Sequence, residues 1–424
     1  MRSFLLLIAL TFTSVWSAEP VRLGIDVLAS DDFAALKGKR IGLVADPASV
    51  DSSLTSTVDL FSKTDRCKLV ALFGPEHGVY GDEYAGVDIP NRIDSRTGLP
   101  IYSLYGETRK PTHEMLANLD MLVFDLQDIG SRSYTYISTM KLCLEACAQA
   151  DIDFVVLDRP NPLGGERIEG PGVERAFESF VSAINVPYLH GMTMGELAQM
   201  VKEDIAPHYQ KLRIIQMTGW SRSMTWQDTG LRWVPTSPHI PYASSCAAYA
   251  ATGILGELGG ISNGVGYPLP FDLIAAPWIK SDKLLKQLKK TFDAAEIGIL
   301  PMRFRPFYGE LKDKNCEGVQ IFLDPHQTKN LIEINFRALE ALGIQKVVQL
   351  SPKDHIEMFD KVCGSDAPRK WMEDGRPLSE LFHAWKESAE SFRNFRRKFL
   401  LYDDTPQEAP EGNSVQPPSA VKTR

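Results

Sequence analysis

Five stretches of this sequence bring carboxylates, guanidinium groups, amides and imidazoles together at spacings suited to acid–base chemistry on a small polar molecule. The first is Leu72-Phe-Gly-Pro-Glu76-His77-Gly-Val-Tyr-Gly81, an apolar run that empties into a glycine-bracketed turn. Pro75 stiffens the approach to Glu76, and Gly74 and Gly78 permit the tight turn that would hold a general acid or base at a cleft edge. The plain alternative for Glu76 is a loop carboxylate that caps a helix. His77 either orients Glu76 and meets ligand or, pointing the other way along an extended segment, is a satisfied structural histidine. The second stretch is Asp125-Leu-Gln127-Asp128, whose two aspartates straddle a strand end. One would bind loop N–H groups and the other face a cleft. The third carries Arg132, Tyr134 and Tyr136, and the fourth is Asp158-Arg159-Pro-Asn161. Arg132 and Arg159 each offer a planar fork for a carboxylate, or an internal ion pair with Asp125, Asp128 or Asp158. Tyr134 and Tyr136 can stack on a sugar face or pack a helix start, and alternation points one of them inward. Asn161 suits a ligand hydroxyl or an Asx turn. The fifth stretch begins at His190, just outside a helix cap.

Several stock mechanisms are missing. The sequence has no H-E-x-x-H, no G-x-S-x-G and no Walker lysine motif, which argues against zinc protease, serine hydrolase and nucleotide hydrolase chemistry. No metal and no cofactor are expected. The six cysteines stand at 67, 143, 147, 246, 316 and 363 without a C-x-x-C pair, and read as buried small hydrophobes. A formal net charge of −8 disfavours a nucleic acid partner. What remains suits a neutral or acidic small molecule, with sugars an obvious case.

These residues need elements to position them. Four short apolar runs, 41–45, 69–73, 121–124 and 154–157, are unalternating and β-branched, as expected of strands buried on both faces of a parallel sheet with crossover helices. They end at Asp46, at Glu76 and His77, at Asp125 to Asp128, and at Asp158 to Asn161. In an open parallel sheet all four ends lie along one edge, so these side chains are expected to converge on one crevice. The link 130–136 precedes a helix over about 138–150, whose N-terminus would face that crevice. Thr193 and Glu196 have capping-box spacing and are read as structural. Three prolines in 235–241 break regular structure and place a domain boundary there or shortly after. The glycine-rich loop 259–266 lacks the spacing of a phosphate cradle and reads as a turn at the cleft edge. Strand-like runs at 302–307 and 319–323 and helical patterns at 328–342 and 377–400 follow.

The chain ends have their own character. Residues 1–18 have one basic residue, an apolar core over 4–12 and a small-residue end, the plan of a secretory signal peptide. That predicts export to the periplasm or beyond, with no stable membrane insertion once the peptide is cleaved. The apolar core is shorter than the roughly 20 residues of a spanning helix. Residues 403–424 are rich in Pro, Gln, Glu, Ser and Gly and read as a disordered tail. The expected partition is a signal at 1–18, a Rossmann-like parallel-sheet domain at 19–244, a smaller C-terminal α/β domain at 245–402, and the tail.

Taken together, Gly74-Pro-Glu-His-Gly78, Gly98-Leu-Pro-Ile-Tyr-Ser-Leu-Tyr-Gly106, Phe124-Asp-Leu-Gln-Asp-Ile-Gly-Ser-Arg132 with Tyr134-Thr-Tyr136, Leu157-Asp-Arg-Pro-Asn-Pro162 and His190-Gly-Met-Thr-Met-Gly-Glu-Leu197 resemble the family once called DUF1343. That family is described as exo-β-N-acetylmuramidases of the NamZ type, glycoside hydrolase family 171. The resemblance spans about residues 22–402. It implies release of N-acetylmuramic acid from the non-reducing end of peptidoglycan-derived glycans, in a cleft between a Rossmann-like domain and a smaller α/β domain. It gives Glu76 the catalytic role. The expected step is protonation of the glycosidic oxygen by Glu76, with a cleft carboxylate such as Asp128 activating water or stabilising the oxocarbenium-like charge. His77, Gln127, Arg132, Tyr134, Tyr136, Asp158, Arg159, Asn161 and His190 are the expected sugar contacts, Arg132 or Arg159 meeting the lactyl carboxylate. Two departures stand out. The family's first strand usually ends in asparagine where this sequence has Asp46, and its Ser-Glu-Gly-Arg-Gly-Thr loop reads Ser262-Asn-Gly-Val-Gly-Tyr267 here. The changed loop admits a different glycan, another acidic substrate, or a muropeptide receptor without turnover.

Overall fold

The structure is a computed structural model that describes residues 20–293 and 296–403. The expected signal peptide and tail lie outside the described residues, apart from Asp403. The first part of the chain alternates strand and helix: α1 (Gly24–Ser30), β1 (Arg40–Ala45), α2 (Thr57–Lys63), β2 (Lys68–Gly74), β3 (Arg92–Ile93), β4 (Pro100–Ser103), α3 (His113–Leu116), β5 (Met121–Asp125), α4 (Tyr136–Ala150), β6 (Asp153–Leu157), α5 (Met194–Ile205) and β7 (Leu212–Ile215). The strands form one seven-stranded sheet in the order β3-β4-β2-β1-β5-β6-β7. Every pairing in it is parallel except β3 with β4.

The apolar runs are its central strands. β1 is flanked by β2 and β5, with Val44 opposite Phe73 on one side and Phe124 on the other. Their side chains are buried on both faces, which is why the runs do not alternate. One cluster around Leu43, Leu72, Val123 and Val155 fills the face carrying α1 and α2. On the opposite face, the cluster around Phe73, Phe124 and Phe154 continues without a break to Phe336, Phe359 and Trp385 in the second part of the chain.

That second part holds α6 (Ser244–Gly256), β8 (Leu273–Ala276), α7 (Ser281–Leu288), β9 (Ile297–Phe304), β10 (Cys316–Leu323), α8 (Leu331–Leu342), α9 (Ile344–Leu350), α10 (Lys353–Cys363), α11 (Ala367–Glu373) and α12 (Leu378–Arg396). Its three strands form an antiparallel sheet in the order β8-β10-β9. The architecture is thus a mostly parallel α/β sheet followed by a smaller α/β unit with its own sheet. The strand expected at 302–307 is displaced: β9 starts at Ile297 and stops at Phe304. β4, β7 and β8 are only four residues each, too short to stand out in the sequence. All six cysteines are buried and unpaired.

Arg132 is a tie between the two parts. Its guanidinium is fully buried and donates to the carbonyls of Pro171 (2.6 Å) and Val186 (2.7 Å) and to those of Val362 and Cys363 (both 2.9 Å), with Nε on Ser182 Oγ. Burial with no carboxylate partner lowers its pKa to about 10. The expectation that Arg132 reaches a ligand is therefore corrected, because all of its donor groups are committed within the protein.

Candidate active site

Glu76 stands where β2 ends. After Gly74 the backbone turns back on itself, the Gly78 N–H bonding the Pro75 carbonyl at 2.9 Å. Both His77 (φ +70°) and Gly78 (φ +75°) are left-handed, a conformation glycine adopts freely and histidine at a cost. The segment is thus a turn, not the extended stretch assumed for His77. His77 is buried, and its Nδ1 lies 3.0 Å from the Glu83 carbonyl, so it holds the strap 79–86 that arches over the turn. The strap in turn holds Glu76, the Gly86 N–H donating to Oε1 at 3.0 Å. From the other side, Thr135 Oγ1 donates to Oε2 at 2.8 Å. Thr135 precedes α4, but its hydroxyl goes to Glu76 rather than capping that helix.

Further groups surround this carboxylate. The Tyr105 hydroxyl lies against Glu76, and burial together with that carboxylate raises the phenol's pKa to about 12. The Arg109 guanidinium lies over the Tyr105 ring, 4.5 Å from its centroid. His239 contributes a ring stacked on Tyr308 (centroids 5.9 Å apart, planes 21° apart), its Nε2 bonded to the Tyr308 hydroxyl. Burial lowers the His239 pKa, and His77 pushes it the same way. Glu257, which caps α6 from the second part of the chain, is close enough to Glu76 for the two carboxylates to repel. Burial and that repulsion raise its pKa to about 7, against the pull of His355.

Asp46, at the end of the adjacent β1, is buried with Oδ1 on Ser49 and with Oδ2 free of any protein partner. Burial lifts its pKa to about 7, although Arg159 pulls the other way.

The remaining expected residues sit deeper. Arg159 is buried and gives Nε and one terminal nitrogen to the two oxygens of Asp125, at 2.6 and 3.0 Å. It also donates to the Val50 carbonyl. Burial opposes its charge, but the Asp125 pair wins and the net shift is upward. Asp158 accepts from Thr193 Oγ1 (2.7 Å), the Gly195 N–H (2.8 Å) and the Tyr402 hydroxyl (2.6 Å). Asn161 bridges the Leu163 N–H and the Met192 carbonyl. Asp158 and Asn161 are corrected from sugar contacts to framework, since satisfied groups at most 2% exposed have nothing to offer a ligand, while Arg159 spends Nε and Nη2 on Asp125 and Val50 and its charge is balanced by that aspartate. Tyr134 and Tyr136 both point inward, their hydroxyls on Thr236 Oγ1 and the Thr236 carbonyl and their rings 4.7 Å apart. Alternation fails because the chain is already turning into α4.

Asp128, Gln127 and His190 form a buried polar group of their own. Asp128 Oδ2 accepts from the Gly130 N–H at 2.8 Å and lies 3.6 Å from His190 Nε2. Gln127 donates to the carbonyls of Asp128 and Pro160, and His190 Nδ1 accepts from the Met192 N–H. Asp128 Oδ1, Gln127 Oε1 and His190 Nε2 are buried and accept or donate no hydrogen bond within the protein. Neither Asp128 nor His190 hydrogen-bonds to Glu76 or to its two donors. The expected capping box is present, with Thr193 Oγ1 accepting from the Glu196 N–H and Glu196 returning a bond to the Thr193 N–H. The Ser262–Tyr267 loop supports a neighbouring loop: the Gly266 carbonyl accepts from the Phe307 N–H, and a side chain at Gly266 would strike the Tyr308 carbonyl at 2.5 Å.

Tyr105, Arg109, Thr135, His239 and Glu257 were not singled out by sequence reasoning. The first two follow β4, and recognising Pro100–Ser103 as a strand would have marked Tyr105-Gly-Glu-Thr-Arg109 as another polar end on the same edge.

Residues 41–244 match a family model described as "Exo-beta-N-acetylmuramidase NamZ, N-terminal", and residues 247–402 match "Exo-beta-N-acetylmuramidase NamZ, C-terminal". Among curated proteins, the peptidoglycan beta-N-acetylmuramidase NamZ of Bacillus subtilis (strain 168) is 40% identical over 392 residues, covering 90% of this chain and 91% of that one. Two crystal structures of DUF1343 family proteins from Bacteroides fragilis are similar. One has a TM-score of 0.84 at 42% identity, covering 91% of this chain and 99% of the other. The second has a TM-score of 0.72 at 25% identity, with the same coverage. With both halves matched in order and the fold shared, the chain belongs to the NamZ exo-β-N-acetylmuramidase family, formerly DUF1343.

Proposed function

We propose that this protein is an exo-acting glycoside hydrolase that releases N-acetylmuramic acid from the non-reducing end of peptidoglycan-derived glycans, with Glu76 as its proton-transferring carboxylate. The observation that carries this reading is the mounting of Glu76: a carboxylate at a strand tip, fixed by the Gly86 N–H and the Thr135 hydroxyl. A hydroxyl can donate or accept, so Thr135 can keep its bond to Glu76 in either protonation state. Glu76 can therefore give its proton to the departing glycosidic oxygen and be reset without the site rearranging.

Glu257, whose carboxylate feels the charge of Glu76, is our candidate for the second carboxylate, stabilising positive charge at the anomeric carbon or activating water. Asp128 is turned into its own buried group with His190. The pattern of residues 1–18 supports export, so the site would work where cell-wall fragments occur. The test is hydrolysis of a chromogenic N-acetyl-β-muramide by the purified protein. Release of the chromophore by the wild type, with loss in Glu76→Gln, is expected; an inert wild type contradicts the proposal.

A further inference from the structure

N-acetylmuramic acid differs from N-acetylglucosamine by a lactyl carboxylate, and recognising it calls for a cation near Glu76. Arg132 is tied to four carbonyls, and the charge of Arg159 is already balanced by a two-bond pair with Asp125. Resting on the function proposed above, we infer that Arg109 is the residue that grips the lactyl carboxylate and so sets specificity for the sugar acid.

Three observations place it there. The Arg109 guanidinium lies 4.5 Å from the Tyr105 ring centroid and 4.3 Å from that of Phe180, the two rings being 5.8 Å apart at 56°. Aromatic faces hold a guanidinium without using its N–H groups, which leaves the fork free for a planar anion. Arg109 is only part-buried, and among the described residues no carboxylate lies within ion-pair distance of it. The adjoining Lys110 is already engaged, pairing with Glu145 at 2.7 Å. Finally, the ring beneath Arg109 is the one whose hydroxyl lies against Glu76, so a single tyrosine separates the cation from the catalytic carboxylate. In the substrate, one pyranose ring likewise separates the glycosidic oxygen from the 3-O-lactyl group. A ring bound with its glycosidic oxygen on Glu76 directs its acid towards Arg109.

The test couples protein charge to substrate charge. Wild type, Arg109→Gln and Arg109→Lys are assayed on two chromogenic N-acetyl-β-muramides, one with the free lactyl carboxylate and one with the lactyl methylamide. Wild type is expected to favour the acid by about tenfold or more in kcat/KM, mainly through KM, the range of a charge-assisted hydrogen-bonded pair. Arg109→Gln should treat the two alike, and Arg109→Lys should recover part of the preference. An arginine that merely packs would lower both rates by the same factor. That result, or a Gln variant with the wild-type preference, overturns the assignment. If the wild type cleaves neither compound the glycosidase reading fails, and calorimetry with N-acetylmuramic acid decides Arg109 alone. Binding weakened about tenfold or more in Arg109→Gln supports it; equal binding, or none by the wild type, overturns it.

Discussion

At the scale of single residues, the proposed chemistry rests on Glu76, and its donors rank the effects of mutation. Glu76→Gln keeps the size of the side chain but removes the transferable proton, so kcat is expected to fall by about a thousandfold with the Tm little changed. Steady-state kinetics beside a thermal melt checks both halves. Thr135→Val removes one of the two groups fixing the carboxylate, and a loss of about tenfold in kcat is expected in the same assay. Asp46 gives a pH prediction. Its folded pKa of about 7 lies above the ordinary carboxylate value, so its stabilising contribution is full below about pH 4 and is lost as pH rises through about 7. Asp46→Asn removes that dependence. The variant should gain on wild type as pH rises, melting a few degrees higher at pH 8 while nearly matching it at pH 4, as differential scanning fluorimetry across pH would show. Glu76 was legible in the sequence because proline and two glycines announce a turn at a strand end. Arg132 was misread, and Arg159 left between ligand and its Asp125 partner, because a guanidinium near a cleft looks the same in sequence whether it faces ligand, backbone carbonyls or an aspartate.

At the scale of elements, the sheet edge collects the site and the loops above it select what is exposed. The four apolar runs gave the central strands because burial on both faces leaves an unmistakable pattern. β4 and β7 went unread because four residues, part-exposed in places, carry too little of it. The buried side chains behind the edge act as framework. Asp158 binds the start of α5 to Tyr402, and Asn161 fixes the loop after β6. Arg132→Met tests this division. Leaving several buried carbonyls without a donor should cost about 3 kcal/mol or more and lower the Tm by several degrees, with KM for the muramide within about twofold of wild type. A large rise in KM at unchanged Tm would instead return Arg132 to the ligand.

At the scale of the whole molecule, the two sheets share one hydrophobic cluster that runs from Phe124 and Phe154 to Phe336 and Trp385. Composition located a change of character near 235–241 but could not reveal that continuity, because long-range packing has no local pattern. Units sharing a core should unfold together, so calorimetry of the protein is expected to show a single cooperative transition, and two resolved transitions would contradict a continuous core. The same continuity fixes Glu257, from the second part, relative to Glu76, from the first. The proposed reaction is cleavage of a glycan at its muramic acid end. It is tested most directly by incubating the protein with a disaccharide bearing N-acetylmuramic acid β-linked at its non-reducing end and reading the products by mass spectrometry. Free N-acetylmuramic acid and the companion sugar should form with wild type and not with Glu76→Gln. An intact disaccharide with wild type, or equal cleavage by the variant, would contradict the account.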